Sequence, residues 1–161
     1  MNVSEYNNAI DLYSDGIYRF ALKHIRVKMY AEDIVQDTFT KVWVKHEEVS
    51  AEKVKSYLFT TAYHAIIDFI KKEKRNGDIE HASEPTGKTP IAEFDLQEQL
   101  HAALEMLPTV QKTVVLLRDY EGYNYAEIAE ITKLTEAQVK VYIFRARQSL
   151  KNYIKEIEVL V

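Results

Sequence analysis

Residues 124–150 read NYAEIAEITKLTEAQVKVYIFRARQSL, and this stretch decides the fold of the C-terminal half. Asn124 followed by Glu127, and Thr135 followed by Gln138, have the spacing of capping boxes, in which each side chain bonds the backbone N–H of the other residue. The two pairs predict a short helix over 125 to about 132 and a second helix after Thr135. Only three or four residues separate these helices. The stretch therefore predicts a helix, a tight turn and a second helix, which is a helix-turn-helix.

The second of these helices has an apolar side and a basic side. On a helical wheel, a narrow apolar face is formed by Val139, Ile143, Ala146, Leu150 and Ile154, and we expect it to be buried. Five basic residues and no acidic one lie between Lys140 and Lys155, although the whole chain has a net charge of −4. The apolar Val141 and Phe144 fall among these charges rather than on the buried face.

The basic side of this helix has two interpretations. It can be a solvated face on which lysine stems cover apolar surface. The tight turn before the helix, and five positive charges that no acid offsets, favour DNA reading instead. In that case Arg and Lys neutralise phosphates, and Val141 or Phe144 contacts thymine methyl groups.

Composition excludes several classes of protein. With four Gly and three Pro in 161 residues, the chain is unlike a β-rich or disordered protein. No Cys is present, which excludes a disulfide framework and fits a reducing cytoplasm. The start MNVSEYNN is not a signal peptide, and the longest aliphatic run is too short to span a membrane. We therefore expect a cytoplasmic protein without membrane insertion.

No enzymatic motif is present in the chain. It has no HExxH and no Gly-rich phosphate loop, and its five His are scattered at 24, 46, 64, 81 and 101. The sequence predicts no catalytic residue, no metal site and no cofactor.

Helical periodicity divides the chain into two parts. Apolar residues recur at helical spacing over 5–26, 31–46 and 52–75, and the pattern then stops in NGDIEHASEPTGKTP at 76–90. It resumes near Phe94 in a helix that Pro108 ends, and Thr109 is expected to cap the next helix, which Gly122 breaks after about Tyr120. The sequence predicts an all-α fold, with helical domains at 1–77 and 95–161 joined by a flexible linker at 78–94.

The helix predicted at 52–75 carries a polar stripe beside its apolar face. An aromatic residue and a His in line can stack on the bases of single-stranded DNA, and basic residues beyond them can contact its phosphates. Basic residues near a helix C-terminus are also favoured by the helix dipole. The alternative interpretation is therefore that these residues only stabilise the end of the helix. The stripe consists of Tyr57, His64, Asp68, Lys71 and Arg75.

The helix AEDIVQDTFTKVW at 31–43 carries acids on its outer side. Asp33, Asp37 and Thr40 are expected to face outward, and an adjoining stripe consists of Glu32, Gln36, Phe39 and Trp43. An acidic face with aromatic residues at its margin suits a protein partner better than DNA. The alternative is a solvated helix with Trp43 in the core.

Taken together, these segments resemble a known family. AEDIVQDTFTKVW resembles the second conserved region of bacterial sigma factors, and VKSYLFTTAYHAIIDFIKKEKR resembles the part that follows it. LPTVQKTVVLLRDYEGYNYAEIAEITKLTEAQVKVYIFRARQSL resembles the fourth region. A short linker in place of a third domain is similar to the compact extracytoplasmic-function group.

The resemblance implies a transcription initiation factor that catalyses nothing itself. Such proteins bind core RNA polymerase and direct it to promoters, and many are held by an anti-sigma protein. The implied polymerase contacts, on the clamp coiled-coil, are Asp33, Gln36, Asp37 and Thr40. The implied contacts to the melted minus-ten strand are Tyr57, His64, Asp68, Lys71, Lys72 and Arg75, with one base flipped into a pocket near residues 46–53. The implied contacts to minus-35 duplex DNA are Gln138, Lys140, Val141, Phe144, Arg145, Arg147 and Lys151. The linker would run through the active-site cleft of the polymerase.

The sequence departs from the family pattern at both DNA-binding helices. Residues 137–142 read AQVKVY where many relatives have Gly-Thr-Val-Lys-Ser-Arg, and His64 stands where many have Asn. Two other functions remain as alternatives: a helix-turn-helix regulator that dimerises on a palindrome, and a protein-interaction module whose basic stripes are solvated faces.

Overall fold

The structure is a computed structural model that describes residues 1–76 and 96–160, with side chains as far as residue 156. The predicted linker at 78–94, and the helix start predicted near Phe94, lie outside the described residues. Every regular element in the described part of the chain is a helix, so the all-α prediction is confirmed. The chain divides into two compact units, an N-terminal and a C-terminal one.

The N-terminal unit is built on three helices that pack against one another. They are α1 (Val3–Ile25), α2 (Lys28–Val44) and α3 (Val54–Asn76). Asn2 and Glu5 form a capping box at the start of α1, which the sequence analysis did not identify. The core includes Ile17, Phe20, Leu58, Phe59 and Ile66, and the Phe20 and Phe59 rings meet at 5.6 Å between centroids.

Residues 96–160 form four helices of the C-terminal unit. They are α4 (Leu96–Glu105), α5 (Thr109–Val115), which continues as a π-helical turn over Leu116–Tyr120, α6 (Tyr125–Thr132) and α7 (Glu136–Leu160). The long helix α7 packs against α4 and α5. Gly122 has φ +78°, a left-handed conformation that glycine adopts without steric cost, and it ends the π-helical turn as predicted.

Both predicted capping boxes of the helix-turn-helix are present. Asn124 Oδ1 accepts from the Glu127 N–H at 2.8 Å, and Glu127 Oε1 accepts from the Asn124 N–H at 3.2 Å. Thr135 Oγ1 accepts from the Gln138 N–H at 3.1 Å, and Gln138 Oε1 accepts from the Thr135 N–H at 2.9 Å. The tight turn between α6 and α7 is therefore held at the start of both helices.

The predicted cap at Thr109 is wrong. Thr109 is the first residue of α5, and the cap position is held by Pro108, which has extended backbone and no side-chain hydrogen bond. The Pro108 carbonyl accepts the helical bond from the Lys112 N–H at 3.0 Å. Proline is preorganised beside a helix start and needs no N–H partner, so the helix begins one residue earlier than predicted.

Candidate protein and nucleic-acid interfaces

The outer face of α2 presents its polar side chains to solvent. Asp33, Gln36, Asp37 and Thr40, which we call the acidic face, are all exposed on successive turns. Asp37 pairs with Lys41 at 3.0 Å, but both side chains are at least half exposed, with 50% and 58% relative accessibility. An exposed pair of this kind is weak, so Asp37 stays available to a partner.

The aromatic residues of α2 divide between the core and the surface. Phe39 is buried, so its predicted place in the outer stripe is wrong: it lies one turn from buried Val42, and Tyr6 of α1 covers it edge-on at 6.3 Å between ring centroids. The Tyr6 hydroxyl donates to the Phe39 carbonyl at 2.8 Å, and burial raises the pKa of Tyr6, so it remains a donor at neutral pH.

Trp43 lies at the edge of the core and not within it. Its side chain is 39% exposed, which excludes the alternative of a core tryptophan. The His46 ring stacks on it at 4.0 Å and 6°, and the Tyr6 ring lies 4.9 Å away on a tilt. The acidic face of α2 therefore has an aromatic margin formed by the exposed Trp43, which the sequence predicts there, and the half-buried His46, which it does not.

A groove of about 270 Å³ runs between α1 and α2 beside the acidic face. Its lining includes Asp15 and Tyr18 from α1 together with Glu32 and Gln36 from α2. Two further carboxylates thus border the surface formed by Asp33 and Asp37. Sequence reasoning did not find Asp15 because it belongs to a different helix.

The polar stripe on α3 is largely exposed. Tyr57 is half-buried, and the other members of the stripe are exposed: His64, Asp68, Lys71 and Arg75. Lys72, the remaining implied minus-ten contact, is also exposed. The opposite side of α3 supplies Leu58, Ala62 and Ile66 to the core. The helix therefore holds the stripe on a rigid support facing away from the packed interior.

The loop between α2 and α3 is anchored at several points. Val49 and Val54 are buried, and the Met1 ammonium group donates to the carbonyl oxygens of His46 and Val49 at 2.9 and 2.8 Å. His46 Nδ1 also lies 2.6 Å from the Trp43 carbonyl. These contacts give the segment expected to receive a flipped base a defined conformation.

Helix α7 has the buried side that the sequence predicts. Val139, Ile143 and Ala146 are buried, whereas Leu150 and Ile154, toward the end of the helix, are half-buried. The predicted contact residues, which we call the recognition face, are all exposed: Gln138, Lys140, Val141, Phe144, Arg145, Arg147 and Lys151.

One basic residue on the recognition face, Arg147, has an acidic partner. Asp119, in the π-helical turn, receives two hydrogen bonds from Arg147, at 2.6 Å from Nη2 and 3.1 Å from Nε. The hydrogen bond that Arg147 donates to Asp119 raises the pKa of Arg147 above its ordinary value. The expectation that no acid offsets the five positive charges is therefore wrong. Asp119 precedes Arg147 by 28 residues, and only the packing of α5 on α7 brings them together.

A second contact links the recognition face to α6. The Tyr125 ring contacts two cations, with Arg118 Cζ at 4.7 Å and Lys140 Nζ at 5.5 Å from its centroid. Arg118 also donates to the Tyr123 carbonyl at 2.9 Å. Cation–π contacts of this length are attractive and hold Lys140 beside the first turn of α6. The contacts of Tyr125 were not predicted from the sequence.

Within residues 1–76 and 96–156, no group of three or more His, Cys, Asp or Glu side chains could hold a metal ion. None of the helices that the structure describes is long and apolar enough to cross a membrane.

Comparison with known proteins places both units in one family. The sequence model for sigma-70 region 2 matches residues 9–76, and that for sigma-70 region 4 matches residues 97–150. The chain is 30% identical over 145 residues to the ECF RNA polymerase sigma factor SigM of Bacillus subtilis (strain 168), covering 87% of this chain and 89% of SigM. It is 31% identical over 140 residues to SigV of the same organism, covering 86% of this chain and 84% of SigV.

A solved structure shares the fold. The sigma factor RpoE from Bartonella quintana, in complex with the anti-sigma factor NepR, matches with a TM-score of 0.78 and 24% identity, covering 95% of this chain and 98% of that one. The chain belongs to the sigma-70 family of RNA polymerase sigma factors, in its extracytoplasmic-function group. As such it binds core RNA polymerase and promoter DNA and directs promoter-specific initiation of transcription.

Proposed function

We propose that this sigma factor divides its work between three surfaces on two domains. The acidic face of α2 docks on core polymerase, the stripe on α3 holds the melted minus-ten strand, and the recognition face of α7 reads minus-35 duplex DNA. The domains are residues 1–77 and 95–161, with 78–94 as the linker. The observation that carries this proposal is the separation of charge: an exposed acidic face and two exposed basic surfaces on a chain of net charge −4.

The acidic face suits a basic protein surface. Asp33 and Asp37 are exposed on successive turns of α2, and Asp15 and Glu32 in the adjoining groove add charge of the same sign. This concentration of negative charge repels DNA, so the face is free for a protein partner. Trp43 and His46 at its margin supply the aromatic surface that interfaces favour.

The stripe on α3 suits a single strand. Tyr57 and His64 offer rings on which bases can stack, and Lys71, Lys72 and Arg75 follow along the helix to meet phosphates. A strand crossing the stripe passes from aromatic to basic residues. The anchored loop at 46–53 precedes this helix and receives the flipped base.

The recognition face of α7 suits a duplex. A helix fits the major groove, and the residues of its first turns contact base edges. Lys140, Arg145 and Lys151 are exposed for phosphate contacts, whereas Arg147 is shared with Asp119. The capping box that begins α7 fixes the first turn, because Gln138 bonds the Thr135 N–H while remaining exposed.

Polymerase allows the two weak DNA-binding surfaces, on α3 and α7, to bind one promoter at the same time. The free protein binds DNA poorly, because its net charge of −4 opposes encounter with a polyanion. When polymerase holds both domains at promoter spacing, the second contact becomes intramolecular and gains effective concentration. The protein works in the cytoplasm and catalyses no reaction of its own.

An anti-sigma protein is a further partner in this proposal. The Bartonella quintana structure, which shares this fold, contains an anti-sigma factor. In the present chain the exposed acidic face of α2 and its aromatic margin are the surface that such a protein would cover to exclude polymerase.

Transcription with purified components tests the proposal. Core RNA polymerase with this protein, on fragmented DNA from the source organism, should give discrete transcripts that core polymerase alone does not give. Their start sites define the promoters. Asp33→Lys combined with Asp37→Lys should abolish both the transcripts and co-migration with polymerase, because the acidic face becomes basic.

A charge-matched variant controls for net charge. Glu130→Lys combined with Glu156→Lys alters two exposed acids on α6 and α7 and leaves α2 unchanged. This variant should retain transcription, and circular dichroism should show all variants folded. No new transcripts and no co-migration for the unaltered protein would contradict the proposal and leave a dimeric helix-turn-helix regulator, which selection of a palindrome would reveal.

A further inference from the structure

Lys140 and Arg147, both on the recognition face, are held by different kinds of side chain. Lys140 Nζ lies 5.5 Å from the centroid of the Tyr125 ring, which belongs to α6. Arg147 is held instead by the carboxylate of Asp119, at 2.6 Å. A carboxylate offsets the charge of its partner, whereas an aromatic ring attracts a cation without carrying a net charge. Lys140 is therefore held in one place and keeps its full positive charge.

The Tyr125 ring is itself fixed by contacts with the rest of the C-terminal unit. Arg118 Cζ lies 4.7 Å from its centroid, and Arg118 Nη1 donates to the Tyr123 carbonyl at 2.9 Å. Tyr123 belongs to the core, with 1% of its surface exposed. The side chain of Asn124 caps α6 directly before Tyr125, so the backbone that carries the ring is also fixed. The ring is therefore a rigid support for the Lys140 ammonium group.

The contact with the ring leaves Lys140 able to bind an anion. An ammonium group has several N–H donors, and Lys140 is exposed. A lysine that moves freely must be ordered when it meets a phosphate, and this lowers affinity, whereas a lysine that is already ordered avoids the loss. The alternative, a lysine stem that only covers apolar surface, predicts no effect of Tyr125 on DNA binding.

We infer that Tyr125 is a positioning residue for DNA binding, whose ring holds the Lys140 ammonium group where a backbone phosphate of the duplex meets α7. This inference rests on the proposed function of the recognition face. It adds a residue of the first helix of the helix-turn-helix, which acts through Lys140 and not through a contact of its own. Because phosphates carry no sequence information directly, Tyr125 sets the affinity for duplex DNA and not the choice of bases.

Duplex binding at several salt concentrations tests the inference. The holoenzyme, core RNA polymerase with this protein, is titrated with a labelled duplex fragment that carries the upstream element of a promoter mapped by the transcription assay. Tyr125→Leu should weaken binding about three- to ten-fold at every salt concentration, the range expected for ordering one long side chain. The slope of log affinity against log salt concentration should stay unchanged, because no positive charge is lost. Lys140→Ala should instead reduce the size of that slope by about 0.9.

Further variants separate positioning from folding. Tyr125→Phe keeps the ring and should restore nearly all of the affinity. Tyr153→Leu alters another half-buried tyrosine of the same unit, outside the recognition face, and should bind as the unaltered protein does. In a protein that already carries Lys140→Ala, Tyr125→Leu should have no further effect, because the side chain that the ring holds is gone. Circular dichroism checks that each variant folds, and Tyr125→Met takes the place of Tyr125→Leu if the latter unfolds.

The outcomes separate this inference from the proposed function. Unchanged binding by Tyr125→Leu, while Lys140→Ala weakens binding, would overturn the inference alone. An equal loss from Tyr125→Leu with and without Lys140 would also overturn it, and so would a Tyr125→Phe variant as weak as Tyr125→Leu, which would assign a direct contact to the hydroxyl. Lys140→Ala without effect, or a holoenzyme that does not bind the fragment, would overturn the proposed function of the recognition face and this inference with it.

Discussion

Helices α3 and α7 are both long and both carry bases on their outer sides, yet they distribute their exposed residues differently. On α3 the bases of the stripe gather near its end, after His64 and Asp68. On α7 bases run from Lys140 onward around the exposed Val141 and Phe144. Aromatic side chains followed by basic side chains suit an unpaired DNA strand. Apolar side chains surrounded by basic side chains suit the floor of the major groove of a duplex. The comparison teaches that the order of charged and apolar residues along a basic helix, more than its total charge, indicates the form of DNA it meets.

The largest expected effect is on the free energy of unfolding, and it comes from the buried sides of α3 and α7, which are alike in carrying apolar core residues. Ile66 on α3 and Ile143 on α7 are both buried, and Ile→Ala at either site should lower the free energy of unfolding of its unit by about 2–5 kcal/mol. Urea unfolding measures the loss. Trp43, the one tryptophan of the chain, reports on the N-terminal unit by fluorescence, and circular dichroism follows both units.

An exposed neighbour provides the control for this experiment. Phe144→Ala removes a larger side chain than Ile143→Ala, but from a site that is 69% exposed, and should cost no more than about 0.5 kcal/mol. A loss at Phe144 equal to that at Ile143 would show that Phe144 belongs to the core, and the contrast between α3 and α7 would fail.

A smaller effect is expected at the start of α7. Thr135→Ala removes the side-chain oxygen that accepts from the Gln138 N–H and should lower the free energy of unfolding of the C-terminal unit by about 1 kcal/mol. Thr135→Ser retains an acceptor and should restore most of the loss. If Ala and Ser variants unfold at the same urea concentration, the cap does not stabilise α7.

The smallest effect is expected at the ion pair between Arg147 and Asp119. The side chains of Arg147 and Asp119 are 49% and 38% exposed, so solvent screens the pair. A double-mutant cycle of Asp119→Ala and Arg147→Ala should give a coupling free energy of about 0.5 kcal/mol that decreases with added salt. A coupling that salt leaves unchanged would contradict a screened surface pair.

The parts of this structure that depend on local chemistry could be predicted from the sequence. The capping boxes at Asn124 and Thr135, the break at Gly122 and the buried face of α7 depend on residues within one or two turns of each other. Helical periodicity likewise indicated two helical parts. The prediction of a cap at Thr109 was wrong because two adjacent residues could both precede the helix, and Pro108 occupies the cap position.

Contacts between helices could not be predicted in this way. Asp119 offsets Arg147, Tyr125 holds Lys140, and Tyr6 covers Phe39, and each contact joins residues of different helices. The spacing along one helix carries no information about which side chain of another helix lies opposite. The residues that contact polymerase and DNA remain predictions for the same reason, because their partners lie outside the chain.

The most direct test of the division of labour crosses two variants with two DNA fragments. One fragment carries only the upstream duplex element and the other only the single-stranded minus-ten element. One holoenzyme contains Lys71→Ala and Arg75→Ala on α3, and the other contains Lys140→Ala and Lys151→Ala on α7. Binding should weaken for the α3 variant only on the single strand and for the α7 variant only on the duplex. Equal losses on both fragments for both variants would contradict the account, because the two basic helices would then act only as general sources of positive charge.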